Sequence, residues 1–143
     1  MKIGKVNFTL IMLLLGAMCS PLAAAEVVLV AHPSNSNDSI SKSDCGRIFL
    51  GRSKAFPDGS TAVAVNQASE SQVRLEFDKE YLGKSSSQIK AFWSNQLFTG
   101  RGVPPEELSD SSAVVERVAK DASALGYVDS SQVNDSVKVI TVN

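Results

Sequence analysis

The first 25 residues constrain the remainder more than any other feature, because their pattern is that of a segment built to be removed. Lys2 and Lys5 precede an apolar run from Val6 to Met18, and Ser20, Pro21 and Ala23-Ala24-Ala25 follow before the first acidic residue, Glu26. A basic start, a short apolar stretch and small residues at Ala23 and Ala25 read as an export signal, with cleavage expected after Ala25. The run falls short of the roughly 20 apolar residues that span a bilayer, which argues against a retained anchor. Met18 stands where a lipid-attachment signal wants Gly, Ala or Ser, which argues against lipidation of Cys19.

The expected organisation is therefore a signal peptide over 1–25 and one domain over 26–143. That leaves 118 of 143 residues, enough for a single core and too few for two lobes of ordinary size. Two of the 14 Lys and Arg residues depart with the leader, so 12 face 15 Asp and Glu, a net charge of −3. This balance carries no electrostatic footprint for nucleic acid. Cys45 becomes the single cysteine, without an intramolecular disulfide partner. It reads as a small buried residue on a helix, with a reactive or intermolecularly paired thiol as the other reading. The apolar core alone must hold the fold.

Val27 to Ala31 is a continuous apolar run rich in β-branched residues, expected as a strand buried on both faces. His32 to Asp38 is a run of turn-formers, expected as a loop at the carboxyl end of that strand, where ligands bind in open α/β sheets. A short helix is expected over Ser41–Leu50, with Ser41 or Ser43 as cap and Gly51 as its left-handed stop. Pro57-Asp58-Gly59 reads as a turn and Thr61 to Val65 as a second strand. Val73, Phe77 and Tyr81 place one stripe on a helix from Ser71 to Leu82. Ile89, Trp93 and Leu97, widened by Phe92, do the same from Ser87 to Phe98, and Phe92, Trp93 and Phe98 are expected in the core. Val103-Pro104-Pro105 forces an extended passage. A fourth helix is expected from Asp110 to Ala124 with Val114, Val118 and Ala122 on one face, followed by strands at Gly126–Val128 and Val137–Val142. Strands mixed with four helices define an α/β domain.

Catalytic inventory is scarce. One histidine, His32, and one cysteine do not assemble a zinc cluster or a Cys-His pair, and no nucleophile elbow or nucleotide-type glycine loop is present. No enzymatic activity and no cofactor are expected. The informative stretch is Asn66-Gln67-Ala68-Ser69-Glu70-Ser71-Gln72-Val73-Arg74, where a strand ends in polar residues and opens a helix. The free N–H groups and dipole of a helix start favour an anion, and Ser69, Ser71 and Arg74 would add donors. The competing reading is structural, because Ser69-x-x-Gln72 fits a capping box that consumes those donors. Phe98 to Gly102, with Arg101, is a second candidate loop, or simply a helix end carrying a favourable cation.

The order of short motifs resembles a known family. Ser39-Ile40-Ser41, Ile48-Phe49-Leu50-Gly51, Phe56-Pro57-Asp58-Gly59, Val65-Asn66-Gln67, Phe77, Phe92-Trp93, Phe98-Thr99-Gly100 and Ala124-Leu125-Gly126-Tyr127 are similar to those of phosphate-type substrate-binding proteins of ABC transporters. The resemblance implies a single lobe of a type II periplasmic-binding-protein-like fold, with a short central sheet flanked by about four helices. It also implies a periplasmic location, phosphate or a related small anion as ligand, and an ABC transporter or receptor component as membrane partner. In that family an arginine and a Ser-Gly-Thr turn grip phosphate. Aligned on Phe77, those positions hold Gln67, Ser71, Gln72 and Val73, so Ser71 alone is retained, with Arg74 a candidate replacement for the arginine. Each charge-assisted bond lost is worth about 1.5–3 kcal/mol. The expected ligand-binding residues are Ser34, Asn35, Gln67, Ser69, Ser71, Gln72 and Arg74, and a homodimer or partner would cover the open side of the lobe. The second hypothesis is a ligand-free interaction or sensory-accessory domain docking to a membrane partner.

Overall fold

In the computed structural model, which describes residues 26–143, the apolar run Val27–Ala31 forms β1 near the middle of a six-stranded sheet. The expected leader, 1–25, lies outside the described residues. The other elements are β2 (Ser39–Ile40), α1 (Lys42–Phe49), β3 (Val63–Gln67), α2 (Gln72–Tyr81), α3 (Ser86–Phe98), β4 (Glu106–Leu108), α4 (Ser111–Ala119), β5 (Ala124–Asp129) and β6 (Lys138–Val142). The sheet order is β2-β6-β1-β5-β3-β4. β1 runs antiparallel to β5 and β6, whereas β3 runs parallel to both β5 and β4.

Successive strand residues point to opposite faces, so the sheet separates two apolar clusters. Leu29, Ala31, Leu125, Tyr127 and Ile140 meet Cys45, Ile48 and Phe49 of α1 and Phe77 of α2 on one side. Val30, Val65, Ala124 and Val128 meet Val114, Val115 and Val118 of α4 on the other. The first cluster centres on aromatic rings: Phe77 lies parallel to Tyr127 at 3.8 Å between centroids, and Phe49 meets Phe77 edge-on at 4.7 Å. Such pairs contribute about 0.5–1.5 kcal/mol each beyond the area they bury.

Several boundaries differ from the sequence reading. β3 starts at Val63 and continues through Gln67, which makes Gln67 a strand residue. Ser71 caps α2 by accepting from the Arg74 N–H, so the Ser69–Gln72 capping box does not form. Such a box occurs one helix later, between Ser85 and Gln88. α4 stops at Ala119, and Ala122 is exposed in the turn before the longer strand β5. Phe98 is 93% exposed rather than in the core, because α3 buries only Ile89 and Trp93 from its apolar stripe. The edge strands β2 and β4 are two and three residues long, too short to show a period.

Gly126 in β5 is held glycine by packing. A Cβ there would lie 2.5 Å from Val114 Cγ1 and 3.0 Å from Val65 Cγ2. Gly126→Ala is expected to destabilise the domain by about 1–3 kcal/mol through overpacking between β5 and α4. Urea unfolding checks this, with an unchanged far-ultraviolet spectrum expected for the folded variant.

Candidate functional site

Strand direction divides the expected site residues between two edges of the sheet. β3 runs parallel to β5, so Gln67 ends at the edge that carries Asp129 and, because β1 is antiparallel, Val27. Ala31 is paired with Leu125 and lies at the other end, together with the loop that follows it. Ser34 and Asn35 are therefore not brought together with Gln67, Ser69, Ser71, Gln72 and Arg74. Within the loop, Ser34 is exposed and hydrogen-bonded to His32 Nδ1 at 2.7 Å. Asn35 Oδ1 accepts from both the backbone N–H and the side-chain amide of Asn37, each at 2.8 Å. The backbone carbonyl of Asn35 accepts from Lys138 Nζ.

At the other edge, Gln67 is 1% exposed and fully engaged. Its Nε2 donates to the Tyr127 carbonyl at 2.9 Å and to Ser111 Oγ at 3.1 Å. Its Oε1 accepts from Ser71 Oγ at 2.8 Å, and that hydroxyl in turn accepts from the Arg74 N–H. The Tyr127 hydroxyl bonds Asn66 Oδ1 and accepts from the Gln67 N–H, while burial holds the phenol well above its usual pKa. The Gln67 amide is satisfied by the two serine hydroxyls and the Tyr127 carbonyl, and the phenol by Asn66 and the Gln67 backbone. Outside them lies a shallow pocket shared by Gln67, Ser71, Asp110, Ser111, Asp129 and Ser131. The start of α2 faces carboxylates there, and Arg74 does not line it.

Arg74 points elsewhere. Its guanidinium donates to the Gln67 carbonyl at 2.8 Å and to Glu107 Oε1 at 2.6 Å, with Nε 3.6 Å from Asp78 Oδ2. One cation thus joins the end of β3, α2 and β4. Asp78 is 2% exposed, and burial pushes its carboxyl up to about 6 despite the neighbouring Arg74 charge. Its Oδ1 has no hydrogen-bond partner among the described residues. Arg74, Asp78 and Glu107 line a cleft of about 500 Å³ between α2 and α3, with Ser69 and Glu70 at one end and Ile89, Lys90, Trp93 and Leu97 along α3. Ser69 bonds only the adjacent Glu70 carboxylate, and Gln72 is exposed, reaching Glu76. The sequence reading passed over Asp78 and Glu107. The i, i+4 spacing of Arg74 and Asp78 on one helix face was the available signal for the first, and nothing local marks the second.

No protein-family model and no curated protein sequence matches the chain. Solved structures do match. A protein from Clostridium perfringens, assigned as a phosphate ABC transporter substrate-binding protein and solved with bound phosphate, superposes at TM-score 0.65 and 19% identity, over 81% of this chain and 44% of its own. An ABC-type phosphate transport receptor from Vibrio cholerae gives 0.64 and 16%, over 81% and 45%. PstS from Borrelia burgdorferi gives 0.54 and 13%, over 82% and 47%. The chain has the fold of one part of a phosphate-type substrate-binding protein. It spans less than half the length of these structures, and at such identities the likeness is one of fold.

The raised pKa of Asp78 sets a sign for stability against pH. A carboxyl whose folded pKa of about 6 exceeds its unfolded value of 3.8 binds more protons when folded. It therefore costs stability as pH rises from about 4 to about 6, and the full cost applies above that window. In Asp78→Asn, unfolding free energy measured by urea titration is expected to lose this downward contribution between pH 4 and 6. An identical pH slope in parent and variant would contradict the assignment.

Proposed function

We propose that residues 26–143 form an exported, periplasmic, non-enzymatic accessory domain that keeps the lobe of a solute-binding protein without its phosphate grip and docks to a membrane transporter or receptor component. One observation carries this reading: Gln67, which the resemblance aligned on Phe77 sets at the family's arginine position, has its side chain consumed inside the protein by Ser71, Ser111 and Tyr127. Ser71, the one retained grip residue, directs its hydroxyl to Gln67. Arg74, the candidate replacement, is neutralised by Glu107 and Asp78. Asp110 and Asp129 add negative charge beside the helix start, where an anion would have to approach. Leu97, Phe98 and Val103, at 53%, 93% and 75% exposure, leave apolar surface of the kind docking uses.

A second reading, capture of phosphate or a related anion, is favoured by the N-terminal N–H groups of α2, which have no intrahelical partners, and by the retention of Ser71. Titration calorimetry separates the two. Phosphate and sulfate are expected to bind more weakly than about 1 mM, equivalent to less than about 4 kcal/mol of binding energy. Micromolar phosphate binding that disappears in Ser71→Ala would establish the second reading instead.

A further inference from the structure

We propose that the cleft between α2 and α3 binds a small amphipathic amine, with its ammonium group held by the Asp78 and Glu107 carboxylates and its apolar body against Ile89, Trp93 and Leu97. A cleft of about 500 Å³ falls in the size range of small-molecule sites. Its two sides differ in chemistry. Ile89, Trp93 and Leu97 recur at helical spacing along α3, whereas α2 and β4 contribute Arg74, Asp78 and Glu107.

Charge decides the class of ligand. Glu70, Asp78 and Glu107 face the cleft against Arg74 and Lys90, an excess of one carboxylate. Arg74 already donates to the Gln67 carbonyl and to Glu107, and its Nε stands beyond hydrogen-bond distance from Asp78. The unspent capacity is that of an acceptor, Asp78 Oδ1, buried without a partner. A buried carboxylate oxygen left in this state is costly, and a donor that reaches it recovers a charge-assisted bond. An anion would meet the surplus carboxylates and an arginine already occupied. Oδ1 is closed to solvent, so the ligand must part α3 from α2. The packing is suited to this, since α3 buries only Ile89 and Trp93.

The test is titration calorimetry of the exported form with phenethylamine, using 3-phenylpropionate and phosphate as comparison ligands. Saturable phenethylamine binding below about 1 mM at pH 7.5 is expected, together with at least about a tenfold loss in Asp78→Asn and a clear weakening in Leu97→Asp. Leu97 is half exposed, so that variant keeps the experiment decisive if Asp78→Asn does not fold. Affinity is also expected to fall as pH drops through about 6, when Asp78 takes up a proton beside Arg74, Lys90, Glu70 and Glu107. Absence of phenethylamine heat at 10 mM, equal binding of 3-phenylpropionate, or binding unchanged in both variants would overturn the proposal. The phosphate arm reports separately on the function proposed above, because tight phosphate binding overturns that reading and leaves the amine result standing on its own.

Discussion

Tyr127 ties α1, α2 and β3 to β5. Its ring lies flat on Phe77 and close to Phe49, which fastens α1 and α2 to the sheet. Its hydroxyl, at the far end of the same ring, meets Asn66 and the backbone of Gln67, and its own carbonyl receives the Gln67 amide. A single residue of β5 therefore sets the depth of the helices and the position of the end of β3. The combination follows from chemistry, because a buried tyrosine contributes a large apolar face yet requires a partner for its hydroxyl. β3 supplies that partner where its strand ends, and α2 starts five residues later from the same anchored point. The orientation of α2, and with it the direction of Arg74 and Asp78, is inherited from this junction.

The elements with a long or continuous apolar signal were legible from sequence. β1, α1 and the interiors of α2 and α4 fall where the runs and stripes place them, and Gly51 takes its left-handed stop at a φ of 71°. Direction within the sheet was not legible. The loop after β1 was expected beside the start of α2 on the assumption that strand carboxyl ends share an edge, which holds for parallel strands and fails for β1 against β5. Nothing in Val27 to Ala31 encodes the orientation of its neighbours. Phe98 illustrates a different limit: helical spacing identifies a stripe but not how far along the helix a partner extends. The α2 cap was placed two residues early because Ser69-x-x-Gln72 fits a capping box, whereas Ser71 caps the helix and also bonds Gln67.

The amide at position 67 lets this edge of the sheet satisfy its buried polar groups from within the protein. A charged side chain in place of Gln67, which is 1% exposed, would need a partner of opposite charge to offset its burial. Glutamine fills the same place with donors and an acceptor but no charge, and Ser71, Ser111 and Tyr127 complete its hydrogen bonds. The network is then self-sufficient. Asp110 and Asp129 border it, and their side chains serve as local caps for the Ala113 and Ser131 N–H groups.

The cation at this end of the sheet is Arg74, seven positions along, and its environment inverts the logic of an anion grip. Two carboxylates converge on one guanidinium, so the charge is more than cancelled before any ligand arrives. Glu107 takes the short bond because β4, an exposed edge strand beside β3, brings it within 2.6 Å. Asp78 lies one helical turn beyond Arg74, with its Oδ2 3.6 Å from the guanidinium Nε, and burial raises its proton affinity. The arginine gains a structural role by bridging three elements, and the unmet demand moves from a donor seeking an anion to an acceptor seeking a donor. Two neighbouring sites on one helix thus differ in what they offer: the start of α2 is acid-rimmed, while the flank of α2 facing α3 holds unspent acceptor capacity beside an apolar wall. Any ligand chemistry retained by this lobe is accordingly expected on the flank, where the electrostatics still leave something to be gained.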